Sequence, residues 1–339
     1  MVSKVTKAMV MSAGIGSRLE PLTLDVPKPL IPVANKPVMD ILFENLVSIG
    51  ITDVICNTYY LAEQIIERYK NNKLGINFNY ITEETLSGTA GGVKKCQFFF
   101  DKNEPFLVLS ADGLTNADIQ NGIEVHKNSK AIATIGIKQI KKEEVSHFGV
   151  VVTDKNGFIT EFQEKPSVKE AKSNFINTGI YIFDYKIFDY IPENTFYDFA
   201  KNVFPKLLAE HAINTFEIKE YWSDIGTLEQ YKQSCQDVFD GKCKIDNVFI
   251  KHTQNGAYIS STDKLDDSLT FIGNSIIGKN VKIGKHVVIE NSIIWDNVTI
   301  AEGTVIKNSV IGANCTVSAS ISEEIVKSHT LFSKETVKI

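Results

Sequence analysis

Ala13-Gly14-Ile15-Gly16-Ser17-Arg18-Leu19-Glu20-Pro21-Leu22-Thr23-Leu24-Asp25-Val26-Pro27-Lys28-Pro29-Leu30 is a glycine loop followed by one arginine, one lysine and three prolines. The apolar run Ala8-Met9-Val10-Met11 before it reads as a buried strand, so the glycines fall where backbone N–H groups leave the strand's carboxyl end and can bind anions. Gly14 and Gly16 let the main chain approach phosphate oxygens with no Cβ in the way, while Arg18 and Lys28 bring positive charge. Five of the nine prolines lie between Pro21 and Pro37, which stiffens the loop and keeps a charged side chain aimed. Two other phosphate loops are excluded. No Lys-Ser or Lys-Thr pair follows Gly16 at Walker A spacing, and Leu19 stands where a dinucleotide fingerprint needs its third glycine. The stretch reads as a polyphosphate cradle.

Outward from this loop, short apolar runs alternate with amphipathic segments to about residue 240. The runs 7–12, 52–57, 105–110, 131–138, 148–153 and 179–183 predict strands, several of them rich in Val and Ile. Val38, Leu42, Leu46 and Ile49 share one helical face with Gly50 placed as a stop, and a second helix is expected from Leu61 to Tyr69. This alternation implies an α/β fold, a mainly parallel sheet covered by helices, with ligands beyond the carboxyl ends of the strands.

After Gly241 the helical period gives way to one of six residues. Ile277, Ile283 and Ile289 are followed, after a one-residue slip, by Ile294, Ile300 and Ile306, and after another slip by Ile311 and Val317. Two residues before most of these stand small or β-branched side chains: Ser275, Val281, Val287, Ser292, Val298, Thr304, Ser309 and Cys315. Short strands joined by tight turns would stack such residues inward as a parallel β-helix. Two domains are expected, 1–243 and 244–339.

The 339 residues, 43% hydrophobic, suffice for two buried cores, and the net charge of −5 argues against nucleic acid or an anionic membrane as a main partner. Cys56, Cys96, Cys235, Cys243 and Cys315 are scattered and never spaced as Cys-x-x-Cys, so neither a disulfide framework nor a zinc site is indicated. No run approaches the about 20 apolar residues of a membrane span, and no cleavage site follows the amino-terminal lysines, so a cytoplasmic protein is expected.

Gly14-x-Gly16-x-Arg18-Leu19-x-Pro21-Leu22-Thr23 followed by Pro27-Lys28-Pro29-Leu30 resembles the signature of the sugar-nucleotide pyrophosphorylases, which are sugar-1-phosphate nucleotidyltransferases. Many members carry glycine where Ile15 stands. The similarity continues through Gly88-Thr89-Ala90-Gly91-Gly92, Ser110-Ala111-Asp112, Glu164-Lys165-Pro166, Asn177-Thr178-Gly179 and Trp222-Ser223-Asp224-Ile225-Gly226, in family order over roughly residues 7 to 245. The hexads resemble the left-handed β-helices found as carboxyl-terminal domains on several pyrophosphorylases. Short exposed coils invite packing between copies, so a homo-oligomer is expected.

The resemblance implies a Rossmann-like nucleotidyltransferase domain whose substrates are a nucleoside triphosphate and a sugar-1-phosphate. By it, Ala13, Gly14, Gly16 and Ser17 wrap the triphosphate, Arg18 meets its β- and γ-phosphates, and Lys28 meets charge on departing pyrophosphate. Asp112, after the apolar run Phe106-Leu107-Val108-Leu109, and Asp224 would hold Mg2+. Lys165, with a backbone restricted by Pro166, would grip the sugar phosphate, Glu164 would accept hydrogen bonds from sugar hydroxyls, and Gly149, Asn177, Thr178 and Gly179 would complete the sugar site.

Residues 80–92 are expected to form the base pocket, with Gly88 and Thr89 at the nucleotide. Glu83 and Glu84 favour guanine, whose N1–H and N2–H groups a carboxylate accepts. The wording of the motifs looks most like the bacterial mannose-1-phosphate guanylyltransferases, which make GDP-mannose. Uridylyl-, thymidylyl- and adenylyltransferases acting on glucose-1-phosphate share the skeleton, and a regulatory paralogue that binds a sugar nucleotide without turnover is a further alternative.

Overall fold

The computed structural model describes residues 5–245, 251–252, 257–259 and 267–333. It divides into two units, Met1–Gly14 with Leu42–Asp224, and Ile15–Ile41 with Ile225–Ile339. The strands of the first are β1 (Lys7–Met11), β2 (Asp53–Thr58), β3 (Asn77–Thr82), β4 (Phe106–Ser110), β5 (Gly113–Thr115), β6 (Ala133–Gln139), β7 (Gly149–Thr153), β8 (Ile159–Glu164), β9 (Phe175–Phe183), β10 (Ile213–Glu217) and β11 (Trp222–Asp224). The α-helices of the chain are α1 (Val38–Ser48), α2 (Ala62–Tyr69), α3 (Gly88–Lys95), α4 (Ile119–Ser129), α5 (Phe204–Ala209) and α6 (Leu228–Phe239).

Nine strands form one sheet in which β8-β7-β9-β4-β1-β2-β3 are successive neighbours, with β6 on the other edge of β9 and β10 beyond β6. The expected parallel run is present: β1 lies between β2 and β4, and β2 pairs with β3, all in parallel. β9 runs antiparallel to β4, β6 and β7, so the sheet is mixed. Its core includes a train of aromatic rings. Phe100 and Phe106 stack with centroids 4.0 Å apart, Phe106 and Phe188 at 5.3 Å, and Phe183 meets Phe199 at 5.0 Å. Burying such a side chain contributes roughly 1.5–3 kcal/mol, which fixes this part of the sheet as a rigid support.

In the second unit three parallel ladders build the coils, each strand two or three residues long. Ile277, Ile294 and Ile311 stack in one ladder, Ile283, Ile300 and Val317 in a second, Ile289, Ile306 and Ile321 in the third. The slips now have a cause. One coil is 17 residues, two hexads and a short step, and the short steps contain the corners Asn291 and Asn308, which take left-handed φ values of 45° and 47°. Buried Ser275, Ser292 and Ser309 stack at the same corner, and each hydroxyl accepts the backbone N–H of the next coil. Residues 15–41 join this unit through Tyr231 of α6, whose hydroxyl donates to Pro32 O at 3.0 Å and accepts from Trp295 Nε1 at 2.9 Å. All five cysteines are buried thiols, and among the described residues no helix is long and apolar enough to cross a membrane.

His126 on α4 is buried, with Nδ1 2.9 Å from Thr134 Oγ1 of β6. Burial holds its pKa down at about 4 against an ordinary 6.5, and the charge of Asp184 offsets part of that. Between these values the unfolded chain takes up a proton that the folded chain refuses. Stability should therefore fall from pH 6.5 towards pH 4, with a slope from this group approaching about 1.4 kcal/mol per unit, and be unaffected by it above. Urea midpoints of the wild type and His126→Gln at pH 7 and pH 5 check this: the variant should lose less on acidification, and an equal loss would exclude His126 as a source.

Candidate active site

The site begins where β9 changes neighbours. Its first residues pair with β7 on one edge and its last with β4, while β6 stays on the other edge throughout. Asn177 pairs with Ile137 and Tyr181 with Ile135, so Thr178, Gly179 and Ile180 stand against Gly136 alone. Such a bulge frees backbone groups that the ladder no longer uses. Asn177 stabilises it from within: Nδ2 donates to the Tyr181 hydroxyl at 2.9 Å and Oδ1 accepts from Gly179 N at 3.0 Å. Burial keeps the Tyr181 phenol well above its usual pKa, so it stays neutral. Gly179 has φ of 76°, and a Cβ there would lie 2.7 Å from Ser110 Oγ.

That close approach sets the bulge against Ser110-Ala111-Asp112 at the end of β4. Ala111 N donates to Met11 O at 3.1 Å, tying the same segment to the end of β1. β5 and β11 then form an antiparallel pair in which Asp224 stands opposite Gly113, next in sequence to Asp112. Trp222 Nε1 donates to Thr178 O at 3.1 Å and locks β11 to the bulge. The two aspartates, 112 residues apart in sequence, are thus neighbours by backbone register. Among the described residues no cluster of three or more His, Cys, Asp or Glu side chains makes a ready metal cage. Paired hard oxygen donors without a full cage are what magnesium takes when phosphates and water complete its octahedron.

β8, β7 and β9 bring the expected sugar residues to one end of the sheet. Glu164 pairs with Gly149, and Val150 pairs with Ile176, one step before Asn177. A Cβ on Gly149 would lie 2.6 Å from the Phe162 ring and 3.3 Å from Glu164 Oε2, so the missing side chain makes room for both. Glu164 and Lys165 are exposed. The residue before a proline is expected to be extended, but Lys165 has φ of 47°, a left-handed conformation costing about 1–2 kcal/mol, and its N–H donates to Phe148 O at 3.1 Å. Thr178 is buried and its hydroxyl donates to Gly136 O at 2.6 Å.

The base loop departs further from expectation. A Cβ on Gly88, where φ is 77°, would run into Tyr197 O, the oxygen that accepts from Ala90 N and Gly91 N. Thr89 Oγ1 donates to Asp198 Oδ2 at 2.9 Å and accepts from Phe199 N at 3.0 Å, so its hydroxyl serves a clamp between the two segments. Glu83 is turned into the protein. Its side chain is 1% exposed and its oxygens accept from Asn57 Nδ2, Ser87 N, Ser87 Oγ and Lys95 Nζ. Glu84 is exposed. Asn57, Tyr197 and Asp198 also hold this loop, and of the three only Asp198 has a local signal in the sequence, as an acidic residue capping the helical turn at Phe199–Val203.

Ala13 is buried and Gly14 exposed after β1. The rest of the cradle belongs to the second unit. There Gly16 has φ of 75°, a Cβ on it would meet Lys28 Cβ at 3.0 Å, and Thr23 Oγ1 donates to Gly16 O at 3.0 Å. Lys28 is 9% exposed, while Ser17 and Arg18 are exposed on a single 3-10 turn.

The sequence pattern of the nucleotidyl transferase family matches residues 7–240. The chain belongs to that family. Residues 253–337 match the GMPPB C-terminal domain. Among family relatives, a UTP–glucose-1-phosphate uridylyltransferase of Synechocystis is 36% identical over 84% of this chain and 81% of its own length. The β catalytic subunit of a mannose-1-phosphate guanylyltransferase from Drosophila melanogaster is 33% identical over 84% of this chain and 72% of its own. The solved structure of a Bacillus anthracis protein, a candidate glucose-1-phosphate thymidylyltransferase, superposes with a TM-score of 0.62 at 25% identity, covering 68% of this chain and 94% of that one.

Gly179→Ala should cost about 1–3 kcal/mol from the left-handed backbone alone, before the clash with Ser110 is counted. Its melting temperature should fall, and any activity should fall by more than the loss of folded protein explains. Wild-type melting of Gly179→Ala would show that the bulge tolerates a side chain.

Proposed function

We propose that this chain joins a sugar-1-phosphate to the α-phosphate of a nucleoside triphosphate, releasing pyrophosphate and forming a nucleotide sugar. The observation that supports this reading is the lock of β9 bulge, Ser110-Ala111-Asp112 segment and β11, in which Asp224 stands opposite Gly113 and Trp222 holds the Thr178 carbonyl. The obstacle in the reaction is the approach of two anions, so positioning and positive charge do most of the catalysis. A phosphate monoester, with a second pKa of about 6, is already largely dianionic at pH 7 and needs no general base. The motifs accordingly contain no histidine.

In this reading Arg18 binds the β- and γ-phosphates, Lys28 balances charge on pyrophosphate, and Lys165 holds the sugar phosphate with Glu164 on the sugar hydroxyls. Gly149, Asn177, Thr178 and Gly179 complete the sugar site. Asp112 and Asp224 would hold magnesium, which when bound neutralises charge at the α-phosphate.

For the substrates, GTP and mannose-1-phosphate are supported by the GMPPB C-terminal match, by the guanylyltransferase relatives, and by the exposed Glu84, whose carboxylate can accept from guanine N–H groups. UTP and glucose-1-phosphate form a second reading, favoured by the Synechocystis relative. Pyrophosphate release from GTP, UTP, dTTP and ATP with each sugar phosphate decides between them. Better turnover with UTP and glucose-1-phosphate ends the first, and no metal-dependent release from any pair ends the catalytic reading. Asp112→Asn should fold normally and lose at least about a hundredfold in kcat, and removal of divalent metal should stop the wild type reversibly. Near-wild-type turnover of that variant would take Asp112 out of the metal site.

A further inference from the structure

We infer that Glu83 is a positioning residue: it holds the base loop and the start of the phosphate loop in one frame and does not choose the base. This rests on the nucleotidyl-transfer reading above. A buried polar chain crosses the carboxyl ends of the three adjacent parallel strands β1, β2 and β3. Ser12, the residue after β1, donates from its backbone N to Asn57 Oδ1 at 3.1 Å and from Oγ to Asn57 O at 2.7 Å. Asn57, on β2, donates from Nδ2 to Glu83 Oε1 at 2.7 Å. Glu83, the residue after β3, is anchored by its own N–H to Thr58 O at 2.8 Å, and its Oε2 takes Ser87 N at 3.1 Å, Ser87 Oγ and Lys95 Nζ at 3.1 Å. Ser12 precedes Ala13-Gly14 and Ser87 precedes Gly88. Ala13-Gly14 and Gly88 therefore follow from opposite ends of the same chain of hydrogen bonds.

Helix α3 is built around this chain. Glycine is a poor interior helix residue, yet Gly92 lies in α3, where a Cβ would come 2.7 Å from Asn57 Nδ2 and 3.3 Å from Glu83 Oε1. The pair occupies the space a side chain would need. A carboxylate buried to this degree is tolerated because a cation and several donors meet it, three on Oε2 and one on Oε1. With 1% of the side chain exposed, it offers almost no surface to a base. Loosening the frame therefore weakens binding of every nucleotide alike, the pattern of lost uniform binding.

The test is Glu83→Gln, which keeps the shape and removes the charge, assayed with GTP, UTP, dTTP and ATP at saturating sugar-1-phosphate. KM should rise on the order of tenfold for each nucleotide that the wild type uses, with kcat changed by less than about threefold and the ranking of nucleotides unchanged. Without any nucleotide, hydrogen exchange at the Ser87 amide should quicken on the order of tenfold. A loss confined to one nucleotide makes Glu83 a base reader and overturns the inference, as does an unchanged KM for all. If the wild type transfers no nucleotide, the failure belongs to the functional reading, and the Ser87 exchange rate alone decides the frame: an unchanged rate overturns it. Should Glu83→Gln fail to melt cooperatively, Lys95→Met removes the cation from the half-exposed end and should move the same readouts in the same direction by less.

Discussion

The interruption of β9 is the constraint on which the rest of the candidate site depends. A strand that must leave β7 and join β4 on one edge while keeping β6 on the other cannot stay regular, and three residues facing one is the result. The irregularity brings Gly179 against Ser110 and gives Trp222 a carbonyl to hold. Asp112 and Asp224 are thereby made neighbours by main-chain geometry.

A second economy of space appears in α3. Gly91 and Gly92 weaken the helix, but Gly91 lets Thr195 O approach and Gly92 admits the Asn57–Glu83 pair. The helix is stabilised from outside, by the carbonyl of Tyr197 and the carboxylate of Asp198, and not by its own propensity. This explains why a glycine-rich segment forms a helix beside a ligand loop.

Much of this was legible in the sequence, and the failures have physical causes. The strands at Lys7, Asp53 and Phe106 and the helix from Val38 carry clear apolar patterns, and the structure has them. Asn77–Thr82 reads Asn-Phe-Asn-Tyr-Ile-Thr with little burial, and Ile159–Glu164 is mostly half-exposed, so neither has the apolar run that marks a strand. The motif residues were found as types, but their orientation was not. Thr178 and Thr89 turn towards Gly136 and Asp198, which lie 42 and 109 residues away, and a linear pattern holds no record of such partners. Lys165 adopts a backbone that the following proline disfavours, which only the surrounding sheet can impose. The change of period after Gly241 announces the coils, but nothing in it says that residues 15–41 belong with them through Tyr231 and Trp295.

The coils obey a stricter rule than the sheet. Ile277, Ile294 and Ile311 belong to the inner stack, each 17 residues from the next, and the Asn280, Asn297 and Asn314 amides repeat the same step on the outside, 3.1 Å from one to the next. At the last coil the step shortens to 15 without losing the ladders, since the missing residues come out of a turn. Length can therefore change in this part of the chain by whole rungs or at corners, and nowhere else. A single residue added inside a strand would turn the inner face outward from that point to the end of its rung.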